Sequence, residues 1–342
     1  MPTPTLRDVA AAAGVHAGTA SRALNPETRG MVNAETARRV MRAAEALGFQ
    51  PNPIARSLKT SKSRTIGLVL PDITNPLFPP IVRGVEDVLV AAGYSALIVN
   101  TDNDQAREKS QIASLRSRQV EGLIVATARL SHPLLAELHE QDVRMVLVNR
   151  RTDGLDVPSI IPDDAAGVEQ AVRHLAGLGH RRILHLGGPG DTSTGLTRSR
   201  AFRSTVRDLG LDEDAALVTA CRAWSEDEGA RVLREAFDAG TRFTAVLAGN
   251  DLIALGCYDV LAERGLSCPR DLSLVGFNDM PLVDKLGPPL TTASVPMHQI
   301  GVEAGRMLLE SIREPERPVR SVLLPVSFIV RGSTAPPPPG PA

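Results

Sequence analysis

The chain has 342 residues, a formal net charge of −1 and 43% hydrophobic residues. This length is enough for a small domain plus roughly two further domains or lobes, each able to bury its own core. The longest apolar runs are strand-sized, far below the roughly 20 residues that span a bilayer, and the N-terminus lacks the apolar core of a signal peptide. We therefore expect neither membrane insertion nor export.

The near-neutral total hides an uneven distribution of charge. Residues 1–64 contain ten Lys/Arg and four Asp/Glu, a formal charge of +6, so the remainder of the chain carries −7. A basic segment on an acidic body is typical of a head that neutralises DNA phosphates. Taken alone, the same charge is equally compatible with a solvated surface.

The first predicted elements are two short helices joined by a glycine-containing turn. Thr5 can cap the first helix, Asp8 can close a capping box, and Gly14 can end the helix in a left-handed conformation. A second helix, from about residue 17 to 24, then crosses the first in helix-turn-helix geometry. Its exposed face is expected to carry His16, Thr19, Ser21 and Arg22.

A third helix and a linker complete this region. Residues 33–49 form a capped helical pattern with Gly48 as its stop, and its apolar positions are Ala37, Val40, Ala44 and Leu47. The residues that follow, up to Arg64, are rich in Pro, Ser and Lys, with about two turns of helix possible from Pro53 to Leu58. Such a stretch is usually a tether, and a segment that folds on DNA is the alternative.

From Thr65 onward, apolar strands alternate with helices, which is typical of parallel sheets covered on both faces. Strands are predicted near residues 65–72, 94–101, 122–128, 144–150, 182–188, 243–251 and 272–279, with helices near 79–92 and 105–118. There are too many strands for one compact sheet, and the pattern restarts near Asp163. We predict two similar lobes with a ligand cleft at the carboxyl ends of the strands, followed by a disordered proline-rich tail over residues 335–342.

One glycine-rich segment resembles a phosphate-binding loop but lacks its essential residues. Gly190 and Gly195 have the required spacing, yet Leu196 and Thr197 follow where Lys and Ser/Thr are needed. Glycines there are better explained as a turn at the cleft. No nucleophile and base pairing can be assembled from local sequence either, so we expect no enzyme activity and no cofactor.

Metal binding is also not indicated. His180 and His185 lack an H-E-x-x-H arrangement, so surface and strand-edge positions are favoured for both. Asp163 and Asp164 are interpreted as a turn or helix cap rather than a catalytic pair. The three cysteines lack C-x-x-C spacing, which favours reduced packing residues over disulfides or zinc ligands.

Taken together, these segments resemble the LacI/GalR (lactose-repressor/galactose-repressor) family of bacterial transcription regulators. The resemblance is carried by T-L-R-D-V-A-x-x-A-G-V-x-x-x-T-x-S-R-x-L-N, by A-L-G-F-Q-P-N-P-I-A-R-S-L, by T-I-G-L-V-L-P-D-I-T-N-P-L-F and by the closing V-R-G-S-T. These motifs cover essentially the whole chain in order.

The resemblance implies a fold and a function. The expected fold is an all-α helix-turn-helix DNA-binding head (residues 1–50), a hinge linker (51–64) and an α/β two-lobed, periplasmic-binding-protein-like domain for effector binding and dimerisation (65–334). The expected function is that of a cytoplasmic homodimer that binds a pseudopalindromic double-stranded DNA operator. Its operator binding would be controlled by a small-molecule effector, a sugar or another metabolite, and repression relieved by the ligand is the family's commoner mode.

DNA-contacting positions follow from the same resemblance. Arg22 stands where relatives contact guanine, whereas Ala17 and Gly18 stand where relatives often carry specificity-determining side chains. His16 replaces a common Ser cap, and in the hinge Leu58 is expected to enter the minor groove. The complete set of expected DNA-binding residues is Thr5, His16, Ala17, Gly18, Thr19, Ser21, Arg22, Asn25, Asn52, Ala55 and Leu58.

The resemblance further implies an effector site formed by Asn75, Phe78, Asn149, Arg198, Trp224, Asn250 and Asn278. Arg198 would donate a fork of hydrogen bonds and Trp224 would stack on the ligand. The alternatives are that Asn75 only turns the chain, Asn250 only caps a helix and Arg198 pairs with a surface acid.

Three positions depart from the pattern of sugar-binding relatives, which often have polar or acidic side chains there: Ala126, Asn149 and Val295. A buried sugar needs nearly every hydroxyl paired. A smaller, less hydroxylated or anionic ligand is therefore as compatible with this site as a sugar.

Two other classes of function remain open from the residues alone. A solute-binding protein for transport would share the two lobes but would carry a signal peptide and no basic head. An enzyme on a nucleotide-binding fold is the second alternative, although the cofactor fingerprints are absent. Operator binding that a small metabolite alters would separate the three.

Overall fold

The computed structural model describes residues 4–25, 28–49 and 63–338. The chain divides into two compact units between Arg64 and Thr65. The predicted hinge contacts Asn52, Ala55 and Leu58, and the two helical turns predicted around them, lie outside the described residues.

The smaller unit contains the three predicted helices: α1 (Leu6–Ala12), α2 (Ala17–Leu24) and α3 (Ala34–Leu47). The capping box forms as expected, because the Thr5 amide donates to the Asp8 carboxylate at 2.7 Å and the Asp8 amide donates to Thr5 Oγ1 at 3.4 Å. Gly14 and Gly48 have φ of 60° and 63°, the left-handed conformation that ends α1 and α3.

The core of this unit is small and rich in alanine, with Val9 and Val40 as its larger members. One expectation about it was wrong. Leu47 is 38% exposed rather than buried, because it lies in the last turn of α3, and Phe49 beyond the Gly48 turn packs against the core.

The larger unit contains two six-stranded sheets. The first has the order β11-β5-β4-β3-β1-β2 and the second β12-β10-β9-β8-β6-β7, and all neighbours are parallel except β10 and β12. The strands are β1 (Thr65–Leu70), β2 (Ser95–Asn100), β3 (Gly122–Val125), β4 (Met145–Val148), β5 (Ser159–Pro162), β6 (Ile183–Gly187), β7 (Val218–Ala220), β8 (Ala245–Ala248), β9 (Ser273–Asn278), β10 (Thr291–Ser294), β11 (Ser321–Leu324) and β12 (Ser327–Ile329).

Helices cover the sheets, which explains why most central strands are apolar along their whole length. They are α4 (Phe78–Ala91), α5 (Gln105–Ser117), α6 (Pro133–Glu140), α7 (Asp164–Gly177), α8 (Ser193–Asp208), α9 (Glu226–Asp238), α10 (Asp251–Glu263) and α11 (Met297–Arg313). Strand β3 and strand β4, for example, are buried at every residue. None of the helices in the described ranges is long and apolar enough to cross a membrane.

The two sheets define two lobes, and the chain passes between them three times. It leaves the first lobe after β5, returns after β10, and leaves again after β11. The predicted restart near Asp163 is confirmed, because Asp163 caps α7 by accepting a hydrogen bond from the Ala166 amide at 3.0 Å and α7 packs on the second sheet.

The chain end and two histidines differ from expectation. Ala335, which was predicted to belong to a disordered tail, donates to Ser273 Oγ at 3.1 Å and accepts from His180 Nε2 at 2.9 Å. His180 and His185 were expected at the surface or a strand edge, but both are fully buried. His185 lies inside β6, stacks on Phe202 and has its pKa lowered to about 4 by burial.

Candidate ligand-binding cleft and exposed head helix

All seven predicted effector residues line one cavity between the lobes, at the carboxyl ends of the parallel strands. Leu77, Arg150 and Thr194 complete its wall. The cavity is about 20 Å³, room for about one water molecule. A larger ligand therefore requires the lobes or these side chains to move apart. The departures noted at Ala126 and Val295 are buried and do not line the cavity.

The first lobe contributes residues that follow β1 and β4. Asn75 Oδ1 accepts a hydrogen bond from the Leu77 amide at 3.0 Å, which fixes the turn leading into α4. Asn149 has a left-handed backbone, with φ of 63°, and its buried Oδ1 has no hydrogen-bond partner. Asn75 therefore turns the chain, as the structural alternative proposed, and also faces the cavity.

The second lobe contributes two asparagines at the ends of β8 and β9. Asn250 caps α10, because its Oδ1 accepts from the Ile253 amide at 2.8 Å. Asn278 has φ of 116°, an uncommon backbone conformation for a residue with a side chain. Strained conformations of this kind are concentrated at functional sites.

Arg198 is buried and engaged with the protein. Its Nε donates to Asp164 Oδ1 at 2.8 Å, its Nη1 to the Gly249 carbonyl at 2.6 Å and its Nη2 to Asn278 Oδ1 at 3.4 Å. The surface pairing considered as an alternative is wrong, because the partner Asp164 is itself buried and burial raises its pKa. Most of the Arg198 guanidinium donors that were expected to bind a ligand thus form hydrogen bonds within the second lobe.

Aromatic rings enclose the Arg198 guanidinium. Its central carbon lies 3.7 Å from the centre of the Phe277 ring and 5.4 Å from that of Trp224. The Trp224 ring also covers Gly188, where a Cβ would overlap its carbon atoms. The Trp224 Nε1 is buried without a hydrogen-bond partner.

Arg150 is a cavity-lining residue that the sequence did not indicate. It follows Asn149 directly after β4, is only 6% exposed, and its Nε has no hydrogen-bond partner. Burial lowers the pKa of Arg150 to about 10, an effect partly opposed by the charge of Asp191. The only available signal was a charged residue at the carboxyl end of a wholly apolar strand.

Asp251 lies beside the cavity and follows the lining residue Asn250. Its carboxylate accepts from the Met280 amide and from Thr292 Oγ1, both at 2.7 Å. Burial raises the pKa of Asp251 to about 7 despite these hydrogen bonds. The carboxyl group ties α10 to the loop after β9, which carries Asn278.

In the smaller unit, α2 presents the expected polar surface. Arg22 and His16 are exposed, and Thr19 and Ser21 are partly exposed. His16 proves to be a working cap, because its Nδ1 accepts from the Gly18 amide at 3.1 Å. Thr5 is exposed at the start of α1, and Ala17, Gly18 and Asn25 are partly exposed on α2 and at its end.

The described residues contain no group of three or more His, Cys, Asp or Glu side chains that could hold a metal ion. The three cysteines are free, and burial raises the pKa of Cys221 to about 12 and that of Cys268 to about 11. These thiols are therefore poor nucleophiles and poor metal ligands at neutral pH.

Comparison with known proteins agrees with this geometry. Residues 5–52 match the family described as bacterial regulatory proteins, lacI family, and residues 172–334 match a periplasmic binding protein-like domain. The chain is 34% identical to the ribose operon repressor of Bacillus subtilis (96% of this chain, 98% of the relative) and 31% identical to the regulator DegA of the same organism (97% and 98%). Its fold is similar to that of the lac repressor dimer bound to operator, with a TM-score of 0.86 at 26% identity (98% and 100% covered).

Proposed function

Because the chain belongs to the LacI family of bacterial regulatory proteins, we propose that it is a repressor whose operator binding is controlled by a small molecule in the cleft. It is a DNA-binding transcription regulator, as its full-length relatives are. We propose no catalytic activity for it, and a place in the cytoplasm, where chromosomal DNA is accessible.

The observation that carries this proposal is the convergence of polar and aromatic side chains from both lobes on one cavity. Asn75, Asn149 and Arg150 come from the first lobe, while Trp224 and Asn250 come from the second. A ligand that touches both lobes favours the arrangement in which they are close, so ligand binding and lobe arrangement are coupled. The sensing residues are thus separate in sequence from the DNA-reading helix.

The head supports operator recognition. The head and hinge together, residues 1–64, carry +6, which favours DNA, and α2 presents Arg22 and His16 to solvent. We propose Arg22 as the main direct base contact, bidentate to a guanine, because Ala17 and Gly18 have no side-chain donor. The remaining head positions named above would contact phosphates or base edges.

A single three-helix head offers little contact surface, so we propose a homodimer that binds a pseudopalindromic operator with two heads. Residues 51–64 would act as a hinge in which Leu58 enters the minor groove beside Ala55, with Asn52 close to DNA. Sedimentation of the full chain tests the dimer, and a monomer mass at every concentration would contradict it.

A solute-binding role without DNA is the rival function. That role does not account for the basic helix-turn-helix head. In addition, the relatives that match over nearly the whole chain are regulators. The DNA-binding proposal can therefore be tested on the head directly.

The test compares Arg22→Ala with Arg38→Ala, because Arg38 is an exposed arginine on α3 whose Nε donates to the Ala34 carbonyl of its own helix. Operator fragments are selected from genomic DNA, and affinity is measured by fluorescence anisotropy on the selected site, on its single-base variants and on random DNA. Arg22→Ala should cost about 1–3 kcal/mol and remove the preference at one base pair of each half-site. Arg38→Ala should leave base preference unchanged.

Equal weakening of specific and random DNA by Arg22→Ala would make Arg22 a phosphate contact only. Failure of the wild-type protein to select any sequence would contradict the regulator function itself.

A further inference from the structure

Arg150 is a buried cation that has no ion-pair partner among the described residues. No described carboxylate forms an ion pair or hydrogen bond with its guanidinium, and Asp191, the acid that most affects it, is paired with Arg129 at 3.0 Å. A buried, unpaired guanidinium is costly because it has lost water without gaining a partner. The fold keeps this charge at the wall of the cleft, where a ligand could pair with it.

The other lining groups are mostly hydrogen-bond donors. The Oδ1 atoms of Asn75, Asn250 and Asn278 each already accept one hydrogen bond, from Leu77, Ile253 and Arg198, which uses one of their two lone pairs and leaves both hydrogens of each Nδ2 group for the cavity. Trp224 Nε1 is a further donor without a partner, whereas among the lining side chains the buried acceptor without a partner is Asn149 Oδ1. The cleft therefore offers more hydrogen-bond donors than acceptors.

Charge in the cleft limits the ligand further. Arg198 and Asp164 form an ion pair at 2.7 Å inside the second lobe, so among the lining side chains and their ion-pair partners Arg150 leaves an excess of one positive charge. A monoanion balances this excess. A phosphate ester, which carries close to two negative charges at neutral pH, does not.

Sugar hydroxyls suit this lining poorly. Each hydroxyl donates one hydrogen bond as well as accepting, and buried donors without acceptors are destabilising. A carboxylate only accepts, and the planar guanidinium fork matches its two oxygens.

We propose that the cleft binds a small carboxylic acid in its anionic form, with Arg150 as the residue that pairs with the carboxylate. This inference rests on the proposed function, since it names the effector class of the same site. Trp224 and the three asparagine amides would hold the remainder of the ligand.

The test uses ligand pairs that differ mainly in the carboxylate: gluconate with glucose, ribonate with ribose and lactate with glycerol, plus glucose 6-phosphate as a phosphate probe. Trp224 is the only tryptophan of the chain, so its fluorescence reports binding at the cleft directly. In at least one pair, the acid should bind at least about tenfold more tightly than its neutral partner. Arg150→Gln should lower the affinity of the protein for that acid by about ten- to hundredfold.

Arg151→Gln is the matched control, because Arg151 is the neighbouring arginine with a half-exposed side chain near Asp153. It should leave acid binding unchanged. A second measurement needs no ligand: Arg150→Gln should raise the melting temperature of the free protein, because it removes a buried unpaired charge. A lower melting temperature would mean that Arg150 has a structural partner, and the inference would fail.

The carboxylate assignment would also be overturned if the neutral partners or glucose 6-phosphate bind more tightly than the acids. It would equally be overturned if none of the three acids binds. These results are separable from failure of the regulator function. A protein that binds a specific operator and responds to a neutral sugar retains that function, whereas one that selects no operator loses it.

Discussion

The position of the Trp224 ring depends on Gly188, which has no side chain. The ring covers Gly188, so Gly188→Ala would place a methyl group where the ring now lies. We expect this substitution to displace the ring and to lower the affinity for the ligand by about tenfold or more, because stacking on the proposed Trp224 contact would supply much of the contact surface. Fluorescence titration of the single tryptophan measures this effect.

Gly190→Ala is the matched control in the same loop, since a Cβ there would meet no atom within 4 Å. It should bind ligand as the wild type does. If both variants retain full affinity, the Trp224 ring is not part of the ligand site.

Asp251 makes the stability of the larger unit pH-dependent. Its pKa of about 7 in the folded protein lies above the ordinary value of 3.8, so its stabilising contribution is complete below about pH 4 and is lost as pH rises towards 7. Asp251→Asn removes this titration while keeping an oxygen that accepts from the Met280 amide.

The measurement is the free energy of unfolding of Asp251→Asn and wild type across pH 4 to 7.5. The free energy of unfolding of the variant should increase relative to that of the wild type as pH rises. The increase should be several kcal/mol at most, since one pKa unit corresponds to about 1.4 kcal/mol. His185, whose pKa burial lowers, is common to both proteins and cancels in the difference. A difference that does not change with pH would contradict the raised pKa.

The sequence indicated most of the residues that line the cleft, but it did not indicate their hydrogen-bond and ion-pair partners. Asn75, Trp224 and Asn250 could be placed by resemblance because they stand at fixed positions within short motifs. Arg198 and Asp164 are 34 positions apart, and only the folded second lobe brings them together. Arg150 was missed because burial without a partner is a property of the tertiary structure.

Among the elements, α4 and α11 pack closely against each other. A Cβ on Gly84 would overlap the His298 carbonyl, and a Cβ on Gly301 would overlap the Ile81 carbonyl. These are backbone atoms, which cannot rotate away as a side chain can. The two glycines therefore set the distance between the helices that cover one face of the first sheet.

Gly301→Ala should destabilise the first lobe by about 1–3 kcal/mol through overpacking, measured by urea unfolding followed by circular dichroism. Gly177→Ala at the end of α7 is the control, because its Cβ would meet no atom within 4 Å. That variant should be neutral or more stable by up to about 1 kcal/mol, since Ala favours helix. Equal stability of both variants would show that the helices can separate without cost.

The elements that sequence analysis placed correctly are long or strongly apolar. Strands β1, β3, β4, β8 and β9 are mostly apolar and largely buried, and α1 and α3 carry clear caps. The strands it missed are short or less apolar: β5, β7, β10, β11 and β12. Strand β7 and strand β12 have three residues each, too few to show a period, and β11 pairs with β5 from a distant part of the chain.

At the scale of the whole molecule, the chain separates DNA reading from ligand sensing. Residues 1–64 carry +6 and the remainder −7, so phosphate attraction is concentrated in the head and hinge together. In the proposed function, ligand control depends on the two lobes, which three chain crossings connect around a shared cavity. A ligand acts on DNA binding only through a difference in its affinity for the two arrangements.

The most direct test of this account is the operator affinity of the full-length protein, measured by fluorescence anisotropy with and without the acid that binds best at the cleft. We predict a change of about tenfold or more for the wild type, and loss of that change in Trp224→Leu relative to its own ligand-free operator complex. Arg198→Ala is less informative, because it also leaves Asp164 buried without its partner. An operator affinity that is the same with and without bound ligand in the wild type would contradict the central claim.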